Sequence, residues 1–369
     1  MVQIPFNTIY EQFDKAARDF SEKQALLYIG QTYTYAQLRE ATEKLASSLH
    51  GLGITKGDKA VLYLPNCPQW VMAWLALLRL GAVAIPVSPI YTPIDLKYMI
   101  SDSGAETIFC LDTNFGYVSQ VFQETRLQRA IITNVAELLP WWKRLIGVGF
   151  DKIPRGKAPS GEQIHGFKRL LKSGDVSQLP QHKAEKEETI EMLYTGGTTG
   201  LPKGVPFANM TFLESVAEQR AMSEAYIPKG QDIIIQGGPL FHILGQAMGL
   251  GALLSGDALI LLPKVNLDGI FAQIQRYRAT TFFGVPTMYR MILEHDRLDY
   301  YDLSSLKYCF CAGDVLPVEV GDRWVKKFKK PLYQGYGATE TCGCLLYTSP
   351  SPRDCKVDRV CRLLLENGG

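Results

Sequence analysis

The sequence has no Cys-x-x-Cys pair among its 8 cysteines, and Cys309-Phe310-Cys311 is too tight for the usual zinc spacings. A cysteine metal centre is therefore excluded, and buried thiols in a reducing compartment are expected. No basic segment followed by an apolar one opens the chain: "MVQIPFNTIYEQF" is not a secretory signal, so a cytoplasmic location is expected. Nor does any apolar run continue for the about 20 residues that a single membrane span needs. Arg79 and Gly81 interrupt the run from Trp70 to Val87, and Gly256-Asp257 divides the one from Met248 to Leu262. Each reads as buried helix, turn and buried strand. Charge of one sign is lacking too. With 39 basic residues against 37 acidic ones, the net charge is +2, so no nucleic-acid partner is expected and function must come from local sites.

What the chain does contain is enough apolar material for a large core: 46% of its 369 residues are hydrophobic and 21% are charged. Helix and strand signals alternate. "TYAQLREATEKLASSLHGLG" opens with Thr34 and Gln37 in capping-box spacing and sets Leu38, Leu45, Leu49 and Leu52 on one helical face before Gly51 and Gly53. "KAVLYLPN" follows as a strand. Trp70–Leu80 then Ala82–Val87, Leu96–Ser101 then Thr107–Leu111, and Leu267–Tyr277 then Thr280–Val285 repeat the pattern. This predicts an α/β fold with mostly parallel sheets flanked by helices. From about 140 to 190 the composition shifts to Lys, Arg, Gly and Pro around Trp141-Trp142, and an irregular surface excursion is expected there. Aromatic rings beside basic residues also suit an anionic bilayer, so peripheral contact with the inner face of a membrane is the sharper reading of this segment.

The stretch "LYTGGTTGLPKGV", Leu193 to Val205, has glycines that let the backbone approach an anion, and hydroxyls and a lysine that donate to it. It is not a Walker P-loop, because Lys203 follows Pro202 and precedes Gly204 instead of opening a helix after glycine.

With "LPN" at 64–66, "GAVAIPVSP" at 81–89, "PLFHILGQ" at 239–246, "FFGVPTMY" at 282–289, "CAGDVLP" at 311–317 and "QGYGATET" at 334–341, this stretch resembles the ordered motifs of the adenylate-forming (AMP-binding, acyl-CoA synthetase) superfamily. The resemblance runs from residue 8 to about 342. It implies that a carboxylate attacks the α-phosphorus of ATP and that coenzyme A then takes the acyl group. Thr195, Gly196, Gly197, Thr198, Thr199, Gly200 and Lys203 would grip the β- and γ-phosphates. Glu340 would hold Mg²⁺, beside the hydroxyl of Thr339. Tyr336 would stack on adenine, with Gly313, Asp314 and Val315 lining its other face and edge, and His242 would stand where acyl chain and phosphate meet. Lys203, His242, Thr339 and Glu340 form the implied catalytic set. Asn209 and Asp314-Val315 depart from common family residues without removing a phosphate contact.

Acetate-using members carry a tryptophan at the position of Gly337. Its absence, with Gly245, Gly249 and Gly251 after His242, predicts a long acyl tunnel with His242, Gly245, Gly249 and Gly337 on its walls, and hence a long-chain fatty acid–CoA ligase. A medium-chain, aryl or bile-acid ligase, or a non-catalytic nucleotide-binding regulator, stays open, as does a homodimer.

Residues 1–343 are expected to form an incomplete N-terminal AMP-binding domain with part of a β subdomain. The resemblance implies a further sheet subdomain, a ribose-binding aspartate, a hinge and a small C-terminal domain with an adenylation lysine, none of which is expected within this sequence. Read back into codons, Cys344 to Asp354 and Val360 to Glu366 resemble the two ends of a sequencing-library adapter. Residues 344–369 are therefore expected to be non-native and unpacked.

Overall fold

The structure, a computed structural model, describes residues 4–143, 154–157, 160–180, 185–196, 200–224, 226–343 and 346–348. In chain order, the first half runs α1 (Ile9–Asp19), β1 (Gln24–Tyr28), β2 (Gln31–Thr34), α2 (Tyr35–Gly51), β3 (Lys59–Tyr63), α3 (Pro68–Leu80), β4 (Val83–Pro86), α4 (Pro93–Ser103), β5 (Thr107–Leu111), α5 (Phe115–Phe122), β6 (Arg129–Thr133), β7 (Ile164–Gly166) and α6 (Phe167–Ser173). The second half runs β8 (Thr189–Thr195), β9 (Lys203–Ala208), α7 (Asn209–Glu224), β10 (Ile233–Ile235), α8 (Ile243–Leu254), β11 (Ala258–Leu261), α9 (Leu267–Tyr277), β12 (Thr281–Gly284), α10 (Pro286–Leu293), β13 (Tyr308–Cys311), α11 (Val318–Phe328), β14 (Tyr333–Tyr336) and β15 (Leu346–Thr348).

Two sheets contain every described strand, in the orders β15-β14-β13-β12-β10-β11-β1-β2 and β7-β6-β5-β3-β4-β8-β9. Pairing is parallel except between β1 and β2, β14 and β15, and β8 and β9, the neighbours joined at the sheet edges. Helices supply the crossovers, as parallel neighbours require. α2 begins with the predicted capping box: Gln37 N donates to Thr34 Oγ1 at 3.2 Å and Thr34 N to Gln37 Oε1 at 3.0 Å. Leu38, Leu45 and Leu49 are buried on its inner face.

α3 is buried on nearly every side, which explains why its sequence is apolar all round without spanning a membrane. Gly81 stops it in the left-handed conformation, at φ 72°, before β4. One hydrophobic core joins α3 to both sheets, through Leu62 and Phe109 of one and Leu26 and Leu259 of the other. No helix among the described residues is long and apolar enough to cross a membrane. Cys67, Cys110, Cys309, Cys311 and Cys342 are buried free thiols.

Two expectations need correction. The segment from 140 to 190 is not irregular throughout, because β7 pairs parallel with β6 and α6 follows it. Phe167 and Leu170 bury there, and Ser48 Oγ donates to Leu170 O at 2.7 Å, which ties the excursion to α2. Within 344–369, Leu346–Thr348 is not unpacked: it pairs with β14, whose open edge offers unpaired N–H and C=O groups. The rest of that tail lies outside the described residues.

Candidate active site

The carboxyl ends of β8, from one sheet, and of β13 and β14, from the other, converge on a cavity of about 340 Å³. In open α/β sheets the strand ends are where ligands settle. Thr195 and Gly196 line the cavity at the end of β8, and Gly313 lines it just after β13. Tyr336, Gly337, Thr339 and Glu340 line it after β14, and His242 at the start of α8. The structure thus brings together residues that the sequence holds in four distant segments.

Local chemistry places each of them. Gly313 has φ +89°, a conformation that L side chains resist, and an added Cβ there would lie 3.3 Å from Val285 Cγ1. Asp314 and Val315 follow it at the exposed rim, next to the cavity wall. Val315 is 76% exposed, and Asp314 Oδ1 accepts from Val315 N at 2.7 Å. His242 caps α8, its Nδ1 accepting from Leu244 N at 3.3 Å. The ring lines the cavity, and desolvation there lowers its pKa from the ordinary histidine value. Tyr336 is 64% exposed and offers a ring face to a planar ligand. Thr339 and Glu340 sit in a single tight turn, fixed where Thr341 Oγ1 donates to Ala338 O at 3.0 Å.

Lys203 stands opposite Thr195 in the β8–β9 register, exposed beside the cavity rather than in its wall. Gly200 is exposed and also outside the wall. Gly197, Thr198 and Thr199 lie outside the described residues.

The loop before α8 is held by a motif residue whose purpose the sequence did not reveal. Asn66 Nδ2 donates to Gly238 O at 2.9 Å, and Leu240 N donates to Asn66 Oδ1 at 2.8 Å. Beneath it, the fully buried Glu191 accepts from Trp74 Nε1 at 2.8 Å and from Gln246 Nε2, and so links β8, α3 and α8. Burial pushes its pKa up to about 7. Sequence reasoning missed Glu191, although an acid inside the apolar strand "TIEMLYT" was a visible signal. Gln219, Ala247 and Phe310 also line the cavity and carry no motif signature.

Gly245 and Gly249 are corrected. A Cβ on Gly245 would meet Pro239 O at 2.0 Å, and one on Gly249 would meet Gln236 Oε1 at 2.1 Å. These glycines admit the close approach of the preceding loop to α8, and the volume expected for an acyl chain is filled by Gln236. Gly249→Ala is accordingly expected to destabilise the fold by about 1–3 kcal/mol in denaturant unfolding, with any activity loss equal for all acids. Full stability with a shortened chain-length preference would restore Gly249 to the acyl pocket.

Glu340 is exposed at the cavity, and among the described residues no group of three or more His, Cys, Asp or Glu side chains is placed to hold a metal. One carboxylate completed by substrate phosphate oxygens and water is the usual donor set for Mg²⁺, so the residues present fit that ion.

Residues 13–366 match the model of a family described as AMP-binding enzyme. The chain belongs to the AMP-binding enzyme family. It is 30% identical over 348 residues to a long-chain-fatty-acid–CoA ligase of Bacillus subtilis, covering 91% of this chain and 60% of that protein. The AMP-binding fold is also that of an anthranilate CoA ligase in complex with anthranoyl-AMP, with TM-score 0.81 at 20% identity, covering 94% of this chain and 63% of that one. A long-chain-fatty-acid–CoA ligase from Archaeoglobus fulgidus superposes with TM-score 0.79 at 21% identity, over 98% of this chain and 69% of its own. The chain therefore spans about 60% of the length of the curated relative it matches.

Proposed function

We propose that this chain is the adenylating part of an acyl-CoA synthetase that activates a long-chain fatty acid with ATP and passes the acyl group to coenzyme A. The observation that carries this reading is the meeting of Thr195, His242, Tyr336, Thr339 and Glu340 on one cavity at the strand ends of two sheets. A carboxylate oxygen attacks the α-phosphorus, the bond from that phosphorus to the bridging oxygen breaks, and pyrophosphate leaves. Thr195, Gly196 and Thr339 would donate to phosphate oxygens, and Lys203 would approach them from the neighbouring strand. His242 would stand where acyl chain and phosphate meet, its lowered pKa favouring the uncharged ring. Mg²⁺ bound at Glu340 would neutralise phosphate charge as pyrophosphate departs. The long-chain assignment is supported by the relatives named long-chain-fatty-acid–CoA ligase and by Gly337, a residue without a side chain in the cavity wall.

Gly337→Trp is expected to move the acid preference towards short chains while leaving ATP affinity nearly unchanged. The measurement is pyrophosphate exchange into ATP with acids of increasing length, and equal loss at every length would count against the assignment. A medium-chain or aryl acid is the second reading, favoured by one observation: Gln236 fills the volume beside Gly245 and Gly249. Peripheral membrane contact draws support from Trp141 and Trp142, 74% and 48% exposed, at a segment anchored where Lys143 Nζ donates to Gly30 O at 2.7 Å.

A further inference from the structure

Thr195 and Lys203, the two ends of the stretch assigned to phosphate, are the last register pair of the β8–β9 hairpin. β9 is the edge strand of its sheet, so β8 is its sole strand neighbour among the described residues. The end of such a ladder is where pairing frays first. Whatever keeps Lys203 opposite Thr195 must come from outside the sheet.

It comes from α4. Tyr98 Oη donates to Pro202 O at 2.8 Å, on the peptide group that joins Pro202 to Lys203. Tyr194, the residue before Thr195, reaches the same helix: its Oη donates to Asp102 Oδ2 at 2.7 Å, with Met99 O a second acceptor 3.2 Å away. Tyr98 and Asp102 stand one helical turn apart and share a face of α4. The Tyr98 and Tyr194 rings meet edge to face, with centroids 6.4 Å apart and planes inclined at 70°. Burial, and then the bond to Asp102, push the Tyr194 pKa above the ordinary phenol range, which keeps its hydroxyl a donor.

α4 is itself well held. Leu96, Met99 and Ile100 are buried in one cluster with Val61, Ile85 and Ile108 of the sheet. Thr92 N donates to Asp95 Oδ2 at 2.9 Å at its start, and Gly104 ends it in the left-handed conformation at φ 70°. Both arms of the hairpin are thus tied by side-chain hydroxyls to one rigid element. Neither tyrosine is part of the cavity wall, so each acts through the neighbour it places.

We propose that Tyr98 and Tyr194 are positioning residues, which hold Lys203 and Thr195 in register for the β- and γ-phosphates of ATP by tying the hairpin to α4. The proposal rests on the ligase reading and adds two residues to its phosphate site.

The probes are MgATP and AMP, titrated by calorimetry into the chain and into Tyr98→Phe, which keeps the ring and removes only the hydroxyl. AMP carries the adenine and the α-phosphate but neither of the phosphates that the hairpin serves, which makes it the control. Tyr98→Phe is expected to weaken ATP binding about 3–10-fold and AMP binding by less than about twofold. Equal weakening of the two nucleotides, as a general loosening of the fold would give, overturns the inference. So does an ATP affinity within about twofold of that of the unchanged chain. Where the unfolding curve of Tyr98→Phe departs from that of the parent, Tyr194→Phe is read by the same criteria. Failure of both nucleotides to bind the unchanged chain would remove the ligase reading, and the inference with it.

Discussion

Replacing Glu340 with glutamine is expected to lower acid-dependent exchange of labelled pyrophosphate into ATP by about 10²–10³-fold, because the amide keeps the shape of the side chain but cannot neutralise a divalent cation. Glu340 is exposed in a short turn that is fixed by Thr341 and Ala338, not by its own carboxylate, so the fold should be unaffected. Unfolding curves that superpose with those of the parent would separate loss of chemistry from loss of structure. The exchange should also need the acid: a signal that ignores the fatty acid, or one that survives Glu340→Gln within about threefold, would sink the assignment of Glu340 as the metal-binding carboxylate of an acid-activating site.

The second large effect is expected at Glu191. Glu191→Ala would strip partners from Trp74 Nε1 and Gln246 Nε2, two donors buried with it, and leave a cavity. A loss of about 2–4 kcal/mol in denaturant unfolding is expected. The pH dependence has a definite sign. The folded-state pKa is raised to about 7 from the ordinary 4.5, so the stability linked to the protonated carboxyl is fully present below about 4.5 and is lost as the pH rises through about 7. Over that window this one group is expected to change stability by up to about 3 kcal/mol. Glu191→Gln, which cannot ionise, should flatten the difference between unfolding at about pH 5 and at about pH 8. Asp257 shifts in the same direction and is present in both proteins, so only the difference between parent and variant reports on Glu191. An identical slope in the two would show that Glu191 does not titrate as its burial requires.

Glu191 also links stability to the site. It joins the strand that delivers Thr195 to the helix that His242 caps, so loss of its side chain would be felt at the cavity as well as in the fold. The carboxylate acts through Gln246 and touches no reacting atom, which makes it a positioning residue.

What the sequence determined by itself is whatever depends on neighbours within a few positions. The Thr34–Gln37 capping box, the glycine stop after α3, the division of Met248–Leu262 into helix, turn and strand, and the anion-ready composition of Leu193–Val205 are local, because backbone preferences and caps act over one turn or one loop. The ordered motifs likewise carried the family, since each is a short run of residues. Only the tertiary structure decided what those runs touch. Gly245 and Gly249 read as empty volume until Gln236, from a different element, was seen to occupy it. Glu191 went unread until burial between β8, α3 and α8 raised its pKa, and Gln219 had no meaning before α7 was laid against α8. The physical reason is the same in each case: desolvation and close packing belong to groups brought together from distant parts of the chain, and no local pattern records which groups those will be.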